Sequence, residues 1–273
     1  MFFSFLDVRA DELVSRIIHI DFNDDKDKSS LVYLASGRIV KASDSKIKKL
    51  LAGANVANRR IKFKIDNQRK IKNVVFFSKN EVEKNVFNSS PENFSPETFI
   101  PSFLKNMDQA RLLFSQAKVN YKESQCYDKA HVWAYDWRIQ SNVYSSKIWI
   151  FFTRKYIREF DHGWWFHVAP MVHVVHEGAV KERVMDPKYA KGPLKINSWS
   201  DIFMKNKSKC PVVIKYDDHA NYPESAYCFL MKSSMYYYQP IDLELKDLKG
   251  IIRNKWIESE VRYAFEDAFN VKI

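Results

Sequence analysis

A stretch rich in asparagine, serine and proline divides this chain of 273 residues into two parts. Residues 85–101 contain the segment NSSPENFSPETFIP, and proline lacks the backbone donor that helices and sheets need. We therefore predict a linker over residues 85–101 that joins an N-terminal domain, residues 1–84, to a C-terminal domain, residues 102–273. Two domains agree with a chain longer than the commonest single-domain size of about 100–150 residues.

The N-terminal part has the pattern of a small α+β unit. Residues 12–22 and 31–41 are rich in β-branched residues on either side of an acidic turn, which is typical of a hairpin. Apolar residues at helical spacing predict a helix over residues 46–52, with Asp44 or Ser45 as its N-cap. Further strands are predicted over residues 60–65 and 74–77.

The C-terminal part combines helices with a series of strand-like runs. Residues 102–118 have one apolar face, which is typical of a helix packed on the domain that follows. A second helix is predicted over residues 124–138, with Ser124 as its cap and Cys126 at its start. We expect an α+β fold in which this helix packs on a mainly antiparallel sheet, followed by a helical tail over residues 254–269. Strands are predicted over residues 147–157, 164–176, 180–185, 211–216 and 227–231.

The chain is basic, with a formal net charge of +11, which would suit an acidic partner. Its lysines are scattered, however, and none belongs to an RNA-recognition, zinc-finger or helix-turn-helix signature. We interpret them as a solvated surface and predict no nucleic-acid partner. No signal-peptide core and no apolar run near the roughly 18–20 residues of a bilayer span is visible. We expect a soluble protein without a membrane partner, cytoplasmic or delivered to another cell.

The three cysteines cannot all pair with one another. Secreted domains usually carry an even set of disulfide cysteines, so the odd number favours a reducing compartment. Cys210 precedes a proline at a strand start and Cys228 lies in an apolar strand, and we interpret both as buried structural cysteines.

Cys126 is the candidate nucleophile, because the free N–H groups and dipole of a helix start favour a thiolate. A catalytic thiol needs an imidazole as base and a third group to orient the imidazole. His167 lies in an apolar strand and Asp186 follows at a strand end, so a hairpin would bring them side by side. Taken alone this grouping is a weak signal, because any chain offers such triplets, and a buried structural cysteine is the simpler interpretation.

The remaining polar and aromatic candidates have simpler interpretations. His131 points away from Cys126 on the same helix, so we interpret it as structural. Along the strand, His176 leaves the face shared by His167 and His173, so we predict no metal site. Trp164 and Trp165 are predicted either to pack in the core or to form a wall of a substrate cleft.

Four ordered motifs resemble those of bacterial protein glutaminases. Cys126–His131 resembles the C-Y-x-[RK]-A-H opening of the family's catalytic helix, and His167–Ala169 resembles the H-V-A of its histidine strand. Asp186–Pro187 matches the D-P of the family's aspartate, and Gly192–Pro193 with Trp199 resembles the residues that follow it.

The resemblance implies a transglutaminase/papain-like catalytic domain with Cys126 as nucleophile, His167 as base and Asp186 as the orienting residue. It implies hydrolysis of the side-chain amide of protein-bound glutamine to glutamate and ammonia through a thioester, without a cofactor. The expected partner is a protein with an accessible glutamine. A transglutaminase-like acyl transfer, a cysteine peptidase and a catalytically inactive binding module are the alternatives.

The N-terminal part is similar to the pro-segment of the same family, which covers the active cleft until proteolysis. The stretch Leu34–Lys41 aligns with the inhibitory strand. The resemblance thus implies an inhibitory segment made of Ala35, Ser36, Gly37 and Arg38.

Overall fold

A computed structural model describes residues 11–15, 17–23, 28–53, 61–76, 99–117, 125–216, 226–249 and 264. Its contacts divide the chain into two units. The first comprises Met1–Val86 together with Asp161–Trp165, and the second comprises Phe87–Phe160 and Phe166–Ile273. Most of the predicted linker lies outside the described residues, so its boundaries stay a prediction.

The first unit contains two antiparallel three-stranded sheets, in the orders β1-β5-β6 and β2-β3-β4. Apolar residues alternate with lysines along β5, as expected for a strand with one buried face. Ile61, Phe63 and Ile65 are buried, and the lysines between them are not buried. The helix α1 begins where predicted, because Asp44 Oδ1 accepts from the backbone N–H groups of Lys46 and Ile47 at 2.8 and 3.1 Å. The elements of the first unit are β1 (Asp11–Ser15), β2 (Ile17–Asp21), β3 (Ser30–Leu34), β4 (Ile39–Ala42), α1 (Ser45–Gly53), β5 (Ile61–Ile65) and β6 (Ile71–Phe76).

The predicted strand over residues 31–41 is wrong in its middle. A turn separates β3 from β4, closed by the bond from Gly37 N to Leu34 O at 2.9 Å and from Leu34 N to Arg38 O at 3.0 Å. Gly37 has φ of 83°, which a residue without a Cβ adopts at little cost. The predicted inhibitory segment Ala35–Arg38 is therefore a hairpin turn and not part of a strand.

The second unit is built on one mixed, mainly antiparallel sheet with the order β10-β9-β8-β12-β11 and with β7 paired to β9. The strand β7 pairs with β9 in parallel, and β11 pairs with β12 in parallel. The other neighbouring strands are antiparallel. The predicted α+β class is confirmed. Its elements are β7 (Phe103–Leu104), α2 (Met107–Gln116), α3 (Cys126–Ser141), β8 (Ser146–Phe152), α4 (Arg154–Glu159), β9 (Phe166–His176), β10 (Ala179–Val184), α5 (Ile196–Met204), β11 (Val212–Val213), β12 (Cys228–Ser234) and α6 (Pro240–Lys249).

The helix α3 packs on the middle of this sheet. Trp133 and Trp137 of α3 join Val172 and Val174 of β9 in one buried cluster, with Leu113 from α2. All seven residues of β8 are buried, as expected for a central strand covered on both faces. This packing fixes the start of α3 relative to β9.

Several predicted elements of the second unit need correction. The strand predicted over residues 147–157 ends at Phe152, because Thr153 caps α4 by accepting from Tyr156 N at 3.3 Å. The helices α4, α5 and α6 were not predicted from the sequence. The strand predicted over residues 211–216 is only Val212–Val213. The predicted tail over residues 254–269 lies outside the described residues apart from the helical Ala264.

Cys210 and Cys228 form a disulfide, with Cα atoms 5.0 Å apart, and Cys126 is free. The interpretation of the pair as separate structural cysteines is therefore wrong. Because disulfides persist mainly in oxidising compartments, the pair also removes the support for a reducing one. Among the helices that the structure describes, none is long and apolar enough to cross a membrane.

Candidate active site

Cys126 is the first residue of α3, as the sequence predicts. Gln125 is the N-cap, one residue after the predicted Ser124, which lies outside the described residues. Asp128 Oδ2 accepts from Gln125 N at 3.1 Å, and the Tyr238 hydroxyl donates to Asp128 Oδ1. These bonds hold the helix start in place. The Cys126 thiol is partly buried and takes no part in the disulfide.

His167 is the second residue of β9, opposite Ile150 of β8, and only 8% of it is exposed. Its Nε2 lies 2.7 Å from Asp186 Oδ2. The Cys126 side chain also acts on the same ring. Burial alone would lower the pKa of His167, but the charges and hydrogen bonds of Asp186 and Cys126 raise it to about 9.

Asp186 follows β10 at the start of a loop that its own backbone organises. The amides of Tyr189 and Ala190 donate to Asp186 O at 3.1 and 2.9 Å, and Leu194 and Val184 close the loop with reciprocal bonds. Met185 N donates to Pro170 O of β9 at 2.8 Å. The Asp186 carboxylate, 2% exposed, is thereby fixed beside His167.

Trp199 completes the group, because its Nε1 donates to Asp186 Oδ2 at 2.9 Å. It is fully buried on α5. Trp199 belongs to the motifs that carry the family resemblance, but no role was predicted for it from the sequence. A buried tryptophan whose N–H needs a partner was the available signal, but the acceptor is visible only in the fold.

Aromatic rings surround His167. Tyr189, Phe203 and Trp199 have ring centroids 5.0, 4.9 and 5.8 Å from that of His167. Burial, with the charges of Asp186 and Cys126, raises the pKa of Tyr189 to about 12. The rings shield the His167–Asp186 pair from water, which strengthens their electrostatic interaction.

The predicted substrate residues Trp164 and Trp165 belong to the first unit. Trp165 donates from its backbone N to Gly37 O at 2.9 Å and from Nε1 to Leu34 O at 2.8 Å. The Arg38 guanidinium lies 5.6 Å from the Trp164 ring centroid. The structure therefore groups both tryptophans with the turn after β3, and a role in substrate binding stays a prediction.

His131 lies on α3 but in a different environment from His167. It is 3% exposed, and its Nδ1 lies 2.7 Å from Lys147 Nζ, which also donates to Tyr237 O at 2.6 Å. Burial and the Lys147 charge hold the pKa of His131 well below its usual range. This arrangement agrees with the structural interpretation.

The two other histidines of β9 each lie beside a polar side chain. His173 Nε2 lies 3.2 Å from Ser146 Oγ, and His176 Nε2 lies 3.7 Å from Glu177 Oε1. Within the described ranges, no group of three or more histidine, cysteine, aspartate or glutamate side chains could hold a metal ion.

The segment that contains this site matches a known protein family. Residues 100–203, which contain Cys126, His167, Asp186 and Trp199, match the family model described as glutaminase. No curated protein matches the chain significantly. The predicted family resemblance is confirmed over these residues.

Two solved structures of pro-protein-glutaminase share this fold. One matches with a TM-score of 0.51 and 12% identity over 85% of each chain. The A47Q2 mutant of pro-protein-glutaminase matches with a TM-score of 0.51 and 14% identity over 83% of each chain. The protein-glutaminase from Chryseobacterium proteolyticum has a TM-score of 0.36 and 14% identity, covering 55% of this chain and 91% of the other.

Proposed function

Because residues 100–203 carry a glutaminase-family sequence, we propose that this protein hydrolyses the side-chain amide of protein-bound glutamine. The observation that carries the proposal is the connected group Cys126–His167–Asp186 inside the matching segment. The products would be protein-bound glutamate and ammonia.

In the first half-reaction, the Cys126 sulfur attacks the carboxamide carbon of the glutamine side chain. The raised pKa of His167 means that the ring holds a proton at neutral pH, and it passes this proton to the departing nitrogen. The C–N bond breaks, ammonia leaves, and a thioester to Cys126 forms. The N–H groups at the start of α3 are suited to the negative charge on the carbonyl oxygen.

In the second half-reaction, water attacks the thioester and gives its proton to His167. The C–S bond breaks, the glutamate carboxyl is released, and Cys126 and His167 return to their starting state. Asp186 orients the ring through Nε2 and stabilises its positive charge, and Trp199 orients Asp186. This scheme has no step that needs a cofactor.

The experiment is incubation of the purified protein with a glutamine-containing protein such as casein. Ammonia release, with conversion of glutamine to glutamate located by mass spectrometry, is the expected result. Incorporation of a labelled primary amine, with ammonia released but no equal amount of glutamate formed, would instead identify acyl transfer. New peptide ends would identify a peptidase. The Cys126→Ala variant is the control, and a wild-type protein that does none of these would fit a binding module.

The turn Ala35–Arg38 is proposed to restrain the enzyme until the first unit is removed. Gly37 O and Leu34 O accept from Trp165, and Ile39 N donates to Gly163 O at 2.9 Å. In the chain, Trp165 comes directly before β9, which carries His167. These bonds support a restraint on the segment that leads into the histidine strand.

Limited proteolysis tests this restraint and the proposed linker over residues 85–101 together. A cut within that range, followed by removal of the N-terminal fragment, should raise both the alkylation rate of Cys126 and ammonia release. An uncut protein already fully reactive at Cys126 would overturn the restraint. A fragment that recruits substrate would instead lower activity on a protein and leave small glutamine peptides unaffected.

A further inference from the structure

Asp128 is a buried carboxylate close to the proposed nucleophile. It is the third residue of α3, two residues after Cys126, and 0% of it is exposed. Its Oδ2 accepts from the backbone N–H of Gln125 at 3.1 Å, and its Oδ1 accepts from the Tyr238 hydroxyl. A buried carboxylate is costly unless donors satisfy its oxygens, so the loss of either donor should disturb this part of the chain.

The bond to Gln125 fixes the backbone at the point where α3 begins. Gln125 is the N-cap, with extended backbone, and Cys126 follows as the first helical residue. The Gln125 carbonyl accepts from Lys129 N at 3.3 Å, so both polar backbone groups of Gln125 are bonded within the first turn. Because Cys126 is joined directly to Gln125, any shift of that backbone also shifts the sulfur.

The second donor, Tyr238, comes from a segment 110 residues further along the chain. Its side chain is buried, and its ring packs against two rings of α3, with centroids 5.1 Å from that of Tyr127 and 5.0 Å from that of His131. Asp242 Oδ2 accepts from Tyr238 N at 3.1 Å. Packing and the backbone bond therefore hold the hydroxyl in place beside Asp128.

Lys147 of β8 attaches the same segment to the sheet. It is fully buried, and its Nζ donates to Tyr237 O at 2.6 Å and lies 2.7 Å from His131 Nδ1. The strand β8 pairs with β9, which carries His167. These contacts connect the sheet that holds the proposed base to the segment that holds the start of α3.

We propose that Tyr238 is a positioning residue, whose hydroxyl acts through Asp128 to hold the start of α3 where Cys126 can attack the substrate. This inference rests on the proposed function, in which Cys126 is the nucleophile. A misplacement of about 1 Å at a reacting centre can cost about 10²-fold in rate. Since the hydroxyl acts on the helix start and not on the substrate, its loss should lower kcat and leave KM nearly unchanged.

Tyr238→Phe tests the inference, because it keeps the ring beside Tyr127 and His131 and removes only the hydroxyl. On the full chain, kcat for ammonia release should fall by about 10–100-fold, with KM within about twofold of the wild type. The matched control is Tyr227→Phe, which removes a hydroxyl that also donates to a carboxylate, that of Glu159 on α4, at 2.8 and 2.9 Å. Its kcat should stay within about twofold of the wild type.

A double-mutant cycle separates positioning through Asp128 from a general effect on packing. Asp128→Asn leaves one acceptor oxygen where two donors need one each, so its kcat should fall about as far as that of Tyr238→Phe. The double variant should be within about twofold of Asp128→Asn alone. Losses that multiply would overturn the inference, as would a wild-type kcat in either single variant. If Tyr238→Phe does not fold, Asp128→Asn tests the same bond from its other side.

Amide hydrogen exchange reports the order of the helix start and does not require deamidation. In Tyr238→Phe, exchange over residues 125–129 should be about tenfold faster than in the wild type, and in Tyr227→Phe it should be unchanged. Faster exchange in a protein whose wild type releases no ammonia supports the role of Tyr238 and contradicts the proposed function. Ammonia release with wild-type exchange and kcat in Tyr238→Phe supports the proposed function and overturns the inference.

Discussion

The environments of His131 and His167 differ in the charged side chain that lies beside each ring. Both rings are buried in the second unit, with 3% and 8% exposed. His131 faces the Lys147 ammonium and its pKa is well below the usual range, whereas His167 faces the Asp186 carboxylate and its pKa is about 9. Burial favours a neutral ring, and a carboxylate partner outweighs it. The comparison separates a histidine that packs from one that can exchange protons.

Replacing each histidine by alanine tests this comparison with the largest expected effect. His167→Ala should lower kcat/KM for ammonia release by about 10⁴-fold, because both proton transfers of the proposed mechanism pass through that ring. His131→Ala should instead destabilise the fold by about 1–3 kcal/mol, because Lys147 loses a buried partner. Steady-state kinetics and thermal unfolding of both variants give the answer. A greater loss of activity per folded molecule in His131→Ala than in His167→Ala would show that His167 is not the base.

Asp186→Asn should give His167 an environment closer to that of His131. With the carboxylate gone, burial dominates and the pKa of His167 should fall from about 9 towards or below its ordinary value. Activity should fall by roughly 10³–10⁴-fold, because the ring loses its orienting and charge-stabilising partner. NMR titration of the ring and ammonia release measure the two effects. An unchanged titration would remove Asp186 as the cause of the raised pKa.

Trp199→Phe should have a smaller effect on the same pair. The substitution keeps a buried ring on α5 but removes the N–H that donates to Asp186 Oδ2. A lost hydrogen bond to a charged acceptor should reduce kcat by about tenfold and leave KM nearly unchanged. Phe203→Leu is a matched control, because it alters a ring beside His167 without touching Asp186. Equal losses in both would indicate that only aromatic packing matters.

The two histidines should also give opposite pH dependence of stability. The pKa of His167 is raised, so its contribution is present below about pH 6.5 and is lost as pH rises through about 9. The pKa of His131 is lowered, so its contribution is present above about pH 6.5 and is lost as pH falls. Melting temperatures in a Cys126→Ala background avoid the titration of the thiol. Because that background also removes the contribution of Cys126, the alkaline decline should lie below about pH 9 there, and Asp186 should keep it above about pH 6.5. Adding Asp186→Asn should flatten the decline on the alkaline side and leave the acid side unchanged.

Local patterns predicted the parts of the site that depend on neighbouring residues. The helix start at Cys126 is encoded by Asp128 and the residues around it, and the apolar run around His167 predicts a buried strand. The cap at Asp44 is equally local. A capping bond or a repeat of apolar residues joins positions only a few residues apart, so the sequence contains both partners.

Only the tertiary structure decided which distant groups meet. The bond from Trp199 to Asp186, the Cys210–Cys228 disulfide and the bond from Tyr238 to Asp128 depend on sheet register and helix packing. Even the end of β8 before Thr153 was missed, because Tyr156 and Ile157 beyond it also have side chains typical of a strand. The sequence by itself determined the α+β class and the residue types of the candidate site. It could not determine their charges, because a pKa depends on burial and on neighbours that only the folded chain brings together.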